Sequence, residues 1–175
     1  VYDGQPKTAT VTLRPDIADA AGTVTVKYYD KYYNLITDAE GNPAKSVTEA
    51  GTYTVAIDVT AGDSYKSVSN MNDSTWTFIV GRRSVAITGI KAKDKIYDGT
   101  TKAVFDYSQV GFEGKLDGDT LTVEIQGYFA DKNVGENKNV RIAGMILGGE
   151  SMSNYQFGVD SLPTLTADIT PKELT

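Results

Sequence analysis

Side chains in this chain alternate at a period of two, which restricts it to folds built from half-buried strands. Residues 52–59 place Tyr53, Val55, Ile57 and Val59 on one face and Thr52, Thr54 and Asp58 on the other. In an extended backbone successive side chains point to opposite sides, so this pattern makes one apolar and one solvated face. Residues 75–80 repeat it with Trp76, Phe78 and Val80 inward, and residues 165–169 repeat it again. Further strands are predicted at 8–13, 23–29, 84–90, 102–107, 120–125 and 139–142, with Val85, Ile87, Leu121, Val123, Ile142 and Ile169 in the core. Helical signals are weak: Asp16 could cap, and Gly22 stop, one or two turns over 15–22. Many short strands separated by turn residues predict an all-β chain of β-sandwich architecture.

Composition narrows the chemistry. The 175 residues include no cysteine and no histidine. That removes disulfides, thiolate nucleophiles, Cys/His zinc sites and a Ser-His-Asp triad from within the chain. The net charge is −6 with acids scattered and no basic stripe, which argues against nucleic acid as a partner. Apolar runs are too short to span a bilayer as a helix. Eleven tyrosines against one tryptophan, with many Thr, Val and Gly, fit strands and tight turns.

Val1-Tyr2-Asp3-Gly4 returns as Ile96-Tyr97-Asp98-Gly99, one small-domain length later. A boundary is expected near Gly81-Arg82-Arg83, where one closing strand leads almost directly into the next opening strand. The sequence around Pro171-Lys172 echoes that junction.

These stretches resemble two related families of bacterial surface-protein repeats. The second copy resembles the YDG domain through Lys95-Ile96-Tyr97-Asp98-Gly99-Thr100-Thr101, Gly118-Asp119, Phe129-Ala130-Asp131-Lys132-Asn133-Val134-Gly135-Glu136-Asn137-Lys138, Asn154-Tyr155 and Ile169-Thr170-Pro171-Lys172. The first copy is similar to the MBG domain, a mostly bacterial Ig-like repeat. It matches at Val1-Tyr2-Asp3-Gly4, Gly51-Thr52-Tyr53-Thr54-Val55 and Gly62-Asp63-Ser64-Tyr65, and departs by the long insertion from Tyr33 to Glu49. The division implied is 1–81 for an MBG-like module lacking its opening strand, 82–170 for a YDG-like module, and 171–175 for the start of a following module. The resemblance implies two tandem Ig-like β-sandwich modules, which the short junction would arrange end to end, in large secreted or wall-attached adhesin-like proteins, extracellular and at the cell surface or cell wall. It carries over no catalytic residue.

Tyr28-Tyr29-Asp30-Lys31-Tyr32-Tyr33 is the densest aromatic cluster and the candidate ligand site. As a hairpin turning at Asp30-Lys31 it sends two rings inward and pairs two outward; as a platform it offers Tyr28, Tyr29, Tyr32 and Tyr33 to a glycan or protein. The repeated Tyr-Asp-Gly reads as a turn with the tyrosine anchored on the core, because an Asp carboxylate accepts backbone N–H bonds and Gly permits positive φ. Asp38-Ala39-Glu40-Gly41-Asn42 and Asp117-Gly118-Asp119 carry oxygen ligands, but turn acids explain them, so no metal and no cofactor is expected. Lys91, Lys93 and Lys95 raise an intramolecular isopeptide bond, but their alternation with Ala92 and Asp94 predicts exposed lysines. The expected function is a non-catalytic stalk or spacer with interaction modules, its partners being flanking repeat modules and a host or microbial glycan or protein. The alternatives are a carbohydrate-binding module using the exposed tyrosines and Trp76, and an accessory domain of an enzyme lying outside this stretch.

Overall fold

The computed structural model describes residues 1–12, 22–62, 65–158 and 163–174. The helical turns expected over 15–22 lie outside the described residues except for Gly22, as do Leu13, Asp63 and Ser64. The chain is all-β and divides into two compact units, Val1–Arg82 and Arg83–Thr175.

The first unit is organised by an antiparallel sheet of β1 (Val24–Tyr29), β2 (Gly51–Val59) and β3 (Val68–Val80), in the order β1-β2-β3. Tyr53, Val55 and Ile57 of β2 are buried, as their alternation requires. Tyr28 is fully buried between two rings, with centroids 6.5 Å from Tyr53 and 5.9 Å from Phe78. Burying side chains of this size contributes roughly 1.5–3 kcal/mol each. Residues 8–12 do not form the expected strand; Lys7 and Val47 instead make an isolated antiparallel bridge.

Trp76 is the other departure. It is 37% exposed rather than buried. Thr54 and Ala56 of β2 face Thr77 and Asn72 of β3, so two steps on one strand meet five on the other. Three extra residues are looped out there, and Asp73 stabilises the loop by accepting bonds from the Thr75 N–H and hydroxyl at 2.8 and 2.6 Å. Trp76 lies within that irregularity, outside the ladder to β2, beside a depression that Val55 and Ile57 also line.

The second unit contains β4 (Arg83–Thr88), β5 (Lys91–Ala92), β6 (Lys95–Ile96), β7 (Phe105–Asp106), β8 (Gly111–Glu113), β9 (Thr122–Phe129), β10 (Gly135–Gly148), a 3-10 turn at Met152–Asn154, β11 (Tyr155–Phe157) and β12 (Leu165–Thr170). Its sheets have the orders β6-β12-β10-β9, β11-β4-β8 and β5-β7. Pairing is antiparallel except for β11 with β4 and β12 with β6. Ile87, Phe105, Val123, Ile125, Phe129, Val140, Leu165 and Ile169 share one core, with Ile142 packed partly buried against it. β9 alternates without a break, Val123, Ile125, Gly127 and Phe129 in and Thr122, Glu124, Gln126 and Tyr128 out. Gly127 is dictated by packing, since a Cβ there would meet the Phe105 ring at 2.7 Å. The strand expected over 102–107 shrinks to Phe105–Asp106 plus a bridge from Lys102 to Tyr128, whereas the one expected at 139–142 extends to Gly135–Gly148.

Candidate functional site

Both Tyr-Asp-Gly sequences form the same local structure. Tyr2 N–H donates to the Gly81 carbonyl at 2.7 Å, and Tyr97 N–H to the Thr170 carbonyl at 2.8 Å, so each motif is tied at the end of a closing strand. Asp3 accepts the Gln5 N–H and Asp98 the Thr100 N–H, across Gly4 and Gly99 at φ 74° and 80°. A lysine completes each turn: Lys7 lies 2.5 Å from Asp3, and Lys95 2.8 Å from Asp98. The Lys95 ammonium, then the N–H and hydroxyl of Thr100, hold the Asp98 carboxyl down to about 2. Tyr2 is buried and Tyr97 packs partly buried on the core, so the motif is an anchored turn and not an aromatic platform.

Lys95 is not the exposed lysine the sequence predicts. Only 13% of its side chain is accessible, and it also donates to the carbonyls of Thr100 and Lys102. No carboxylate or amide other than Asp98 is bonded to it among the described residues, so the arrangement is that of an ion pair.

In the tyrosine cluster the turn is one residue longer than expected. Tyr33 N–H donates to the Asp30 carbonyl at 3.0 Å and Asp30 N–H to the Asn34 carbonyl at 2.9 Å, which makes Lys31-Tyr32-Tyr33 a three-residue hairpin loop. The Asp30 carboxylate accepts from the Asn34 side chain and from the N–H groups of Asn34 and Tyr32, which hold its pKa below the usual carboxylate range. The next turn repeats this plan. Gly41 N–H donates to the Asp38 carbonyl at 3.1 Å, Asp38 N–H to the Asn42 carbonyl at 2.8 Å, and the Asp38 carboxylate caps the N–H groups of Glu40 and Asn42. Thus in Asp38 to Asn42, weighed above for calcium, the Asp38 carboxylate accepts from the turn's own backbone, and no group of three or more potential metal ligands occurs among the described residues.

The two turns differ at the left-handed position. The second has Gly41 at φ 84°; the first has Tyr33 at φ 64°. A bulky residue there is an outlier that costs on the order of 1–3 kcal/mol. Of the four candidate tyrosines, Tyr28 is removed by burial: its hydroxyl accepts the Ala9 N–H at 2.7 Å and its ring faces the core. Tyr29 lies on the opposite sheet face and donates to Asn70 Oδ1 at 2.8 Å. Tyr32 and Tyr33 are 72% and 76% exposed, with the Lys31 ammonium 4.9 Å from the Tyr32 ring centre. Tyr29 and Tyr33 line a shallow depression of about 250 Å³ with Thr54, Ala56, Asn70 and Asn72. Asn70 and Asn72 were not singled out in sequence; the signal available was the polar run from Ser69 to Ser74, which interrupts the alternation before Trp76.

No helix among the described residues is long and apolar enough to cross a membrane. No curated protein and no solved structure matches the chain. Residues 81–164 do match a known family: a YDG domain is found there, covering most of the second unit.

Proposed function

We propose that this chain is a non-catalytic spacer, two Ig-like sandwich modules set end to end in the stalk of a secreted or wall-attached bacterial adhesin-like protein. The first module is of the MBG kind and the second of the YDG kind. The observation that carries this reading is the junction: β3 ends at Val80 and β4 begins at Arg83, so only Gly81 and Arg82 lie between the closing strand of one unit and the opening strand of the next. A connection this short leaves little spacer between the units, which fits modules repeated in series. In the second unit the entry strand β4 and the exit strand β12 belong to different sheets, an arrangement compatible with a two-sheet module. The paired turns at Tyr2 and Tyr97 fasten each unit with main-chain bonds rather than disulfides.

Under this reading the flanking partners are further modules of the same protein, and the work is geometric. Single-molecule pulling from the two ends of the chain tests it. Two separate unfolding events are expected, each releasing roughly 300 Å of contour length from a unit of this size. One cooperative event releasing both lengths together would refute independent modules in series.

A further inference from the structure

We propose that the depression between the Lys31–Tyr33 loop and β3 binds the ring of a neutral saccharide, with Tyr33 as the stacking face and Asn70 and Asn72 reading hydroxyls. This goes beyond the spacer reading and does not depend on it.

Three observations converge. The first is Tyr33 itself. The chain builds the same Asx-capped three-residue turn twice in succession, and at the left-handed position it uses Gly41 in one and Tyr33 in the other. Folding needs only the glycine, so the tyrosine is not explained by the turn. Its ring is 76% exposed, so it is not explained by the core either. The second is the opposite wall, where Asn70 also adopts a left-handed conformation, φ 54°, with its N–H held by Asp58 at 2.7 Å. Tyr29 fixes the Asn70 side chain through Oδ1, and Asn72 Nδ2 donates to the Asn70 carbonyl at 2.9 Å. Asn70 Nδ2 and Asn72 Oδ1 are left without a partner among the described residues. Both amides line the depression, each held by one hydrogen bond, with one donor group and one acceptor to spare between them.

The third observation is charge. Every lining side chain is neutral, and the nearest ion pair, Lys27 with Asp58 at 2.6 Å, is internally satisfied. An anionic ligand finds no cation in the site and a cationic one no free carboxylate. Aromatic faces flanking fixed amides, without charge, fit the apolar face and vicinal hydroxyls of a pyranose. A volume of about 250 Å³ suits one ring of a longer glycan rather than a large organic ligand.

The test uses the whole chain, isotopically labelled, and follows backbone amide shifts while methyl glycosides of glucose, mannose and galactose, N-acetylglucosamine, and linear tetrasaccharides of each are added to about 10 mM, enough to detect a millimolar Kd. At least one is expected to move Tyr33, Asn70 and Asn72. Tyr33→Gly should weaken that binding at least tenfold while leaving the thermal midpoint unchanged or higher, since glycine suits the turn. Asn72→Ala, which leaves the turn untouched, should weaken it too. The proposal is overturned if no neutral saccharide moves these residues, if shifts fall elsewhere, if binding is confined to acidic saccharides, or if Tyr33→Gly binds as well as the parent. A lower midpoint for Tyr33→Gly would overturn it as well, because the tyrosine would then be explained by folding.

Discussion

Tyr155→Phe probes how the second unit holds its Leu116–Asp119 loop. The Tyr155 ring is 1% exposed, and its hydroxyl donates to Asp119 Oδ2 at 2.5 Å while accepting the Leu116 N–H at 3.0 Å. Burial and then the bond to Asp119 push the phenol pKa up. Phenylalanine keeps the ring and removes both bonds. A neutral hydrogen bond contributes about 1 kcal/mol and one to a charged group about 1.5–3 kcal/mol. Leu116 and Asp119 are only partly buried, so water recovers some of that and the net loss should be about 2 kcal/mol. For a unit of this size that lowers the midpoint by about 8–16 °C. Thermal melts by far-ultraviolet circular dichroism report both units; fluorescence of Trp76, the sole tryptophan, reports the first. The dichroism transition should move and the fluorescence transition should not. Tyr128→Phe, at an exposed ring, should stay within about 0.5 kcal/mol. A Tyr155→Phe loss no larger than that of Tyr128→Phe would refute the reasoning.

Ile57→Ala, at a 5% exposed site of β2, should cost about 2–5 kcal/mol in urea melts, and a loss below about 0.5 kcal/mol would show the strand register to be wrong. Gly89→Ala should prevent stable folding, since at φ 72° its Cβ would sit 1.8 Å from the Gln109 carbonyl oxygen, whereas Gly99→Ala, at φ 80° in open space, should cost only about 1–2 kcal/mol. Asp98 has a folded pKa of about 2, below its unfolded value near 4, so the stability it contributes is fully present above about pH 4 and is lost as pH falls toward 2. Asp98→Asn should flatten the acid limb of the stability–pH curve in that window; an unchanged limb would show that the turn does not stabilise the fold.

Strands were legible where a run of several residues alternates, and the short β8 and β11 were missed. The alternation at residues 52–59, and at Leu121 to Ile125, placed Tyr53, Val55, Ile57 and Val123 in the core, where they are. Trp76 was misplaced because alternation assumes an unbroken ladder, and the three extra residues of β3 interrupt that ladder beside it. The hairpin at Asp30 was found but its loop was one residue short, because Tyr33 occupies a position that glycine ordinarily announces. The polar side of the depression was legible only as a polar interruption before Trp76. Asn70, Asn72 and Tyr29 are brought together by the β1–β2 and β2–β3 registers, which no local pattern encodes.

The spacer reading stands or falls on extension in solution. Small-angle scattering of the whole chain measures it directly. A single compact body of 175 residues has a radius of gyration near ~16 Å. Two modules in series predict a clearly larger value and a distance distribution with a long tail. A radius close to the compact value, with a symmetric distribution, would contradict the account.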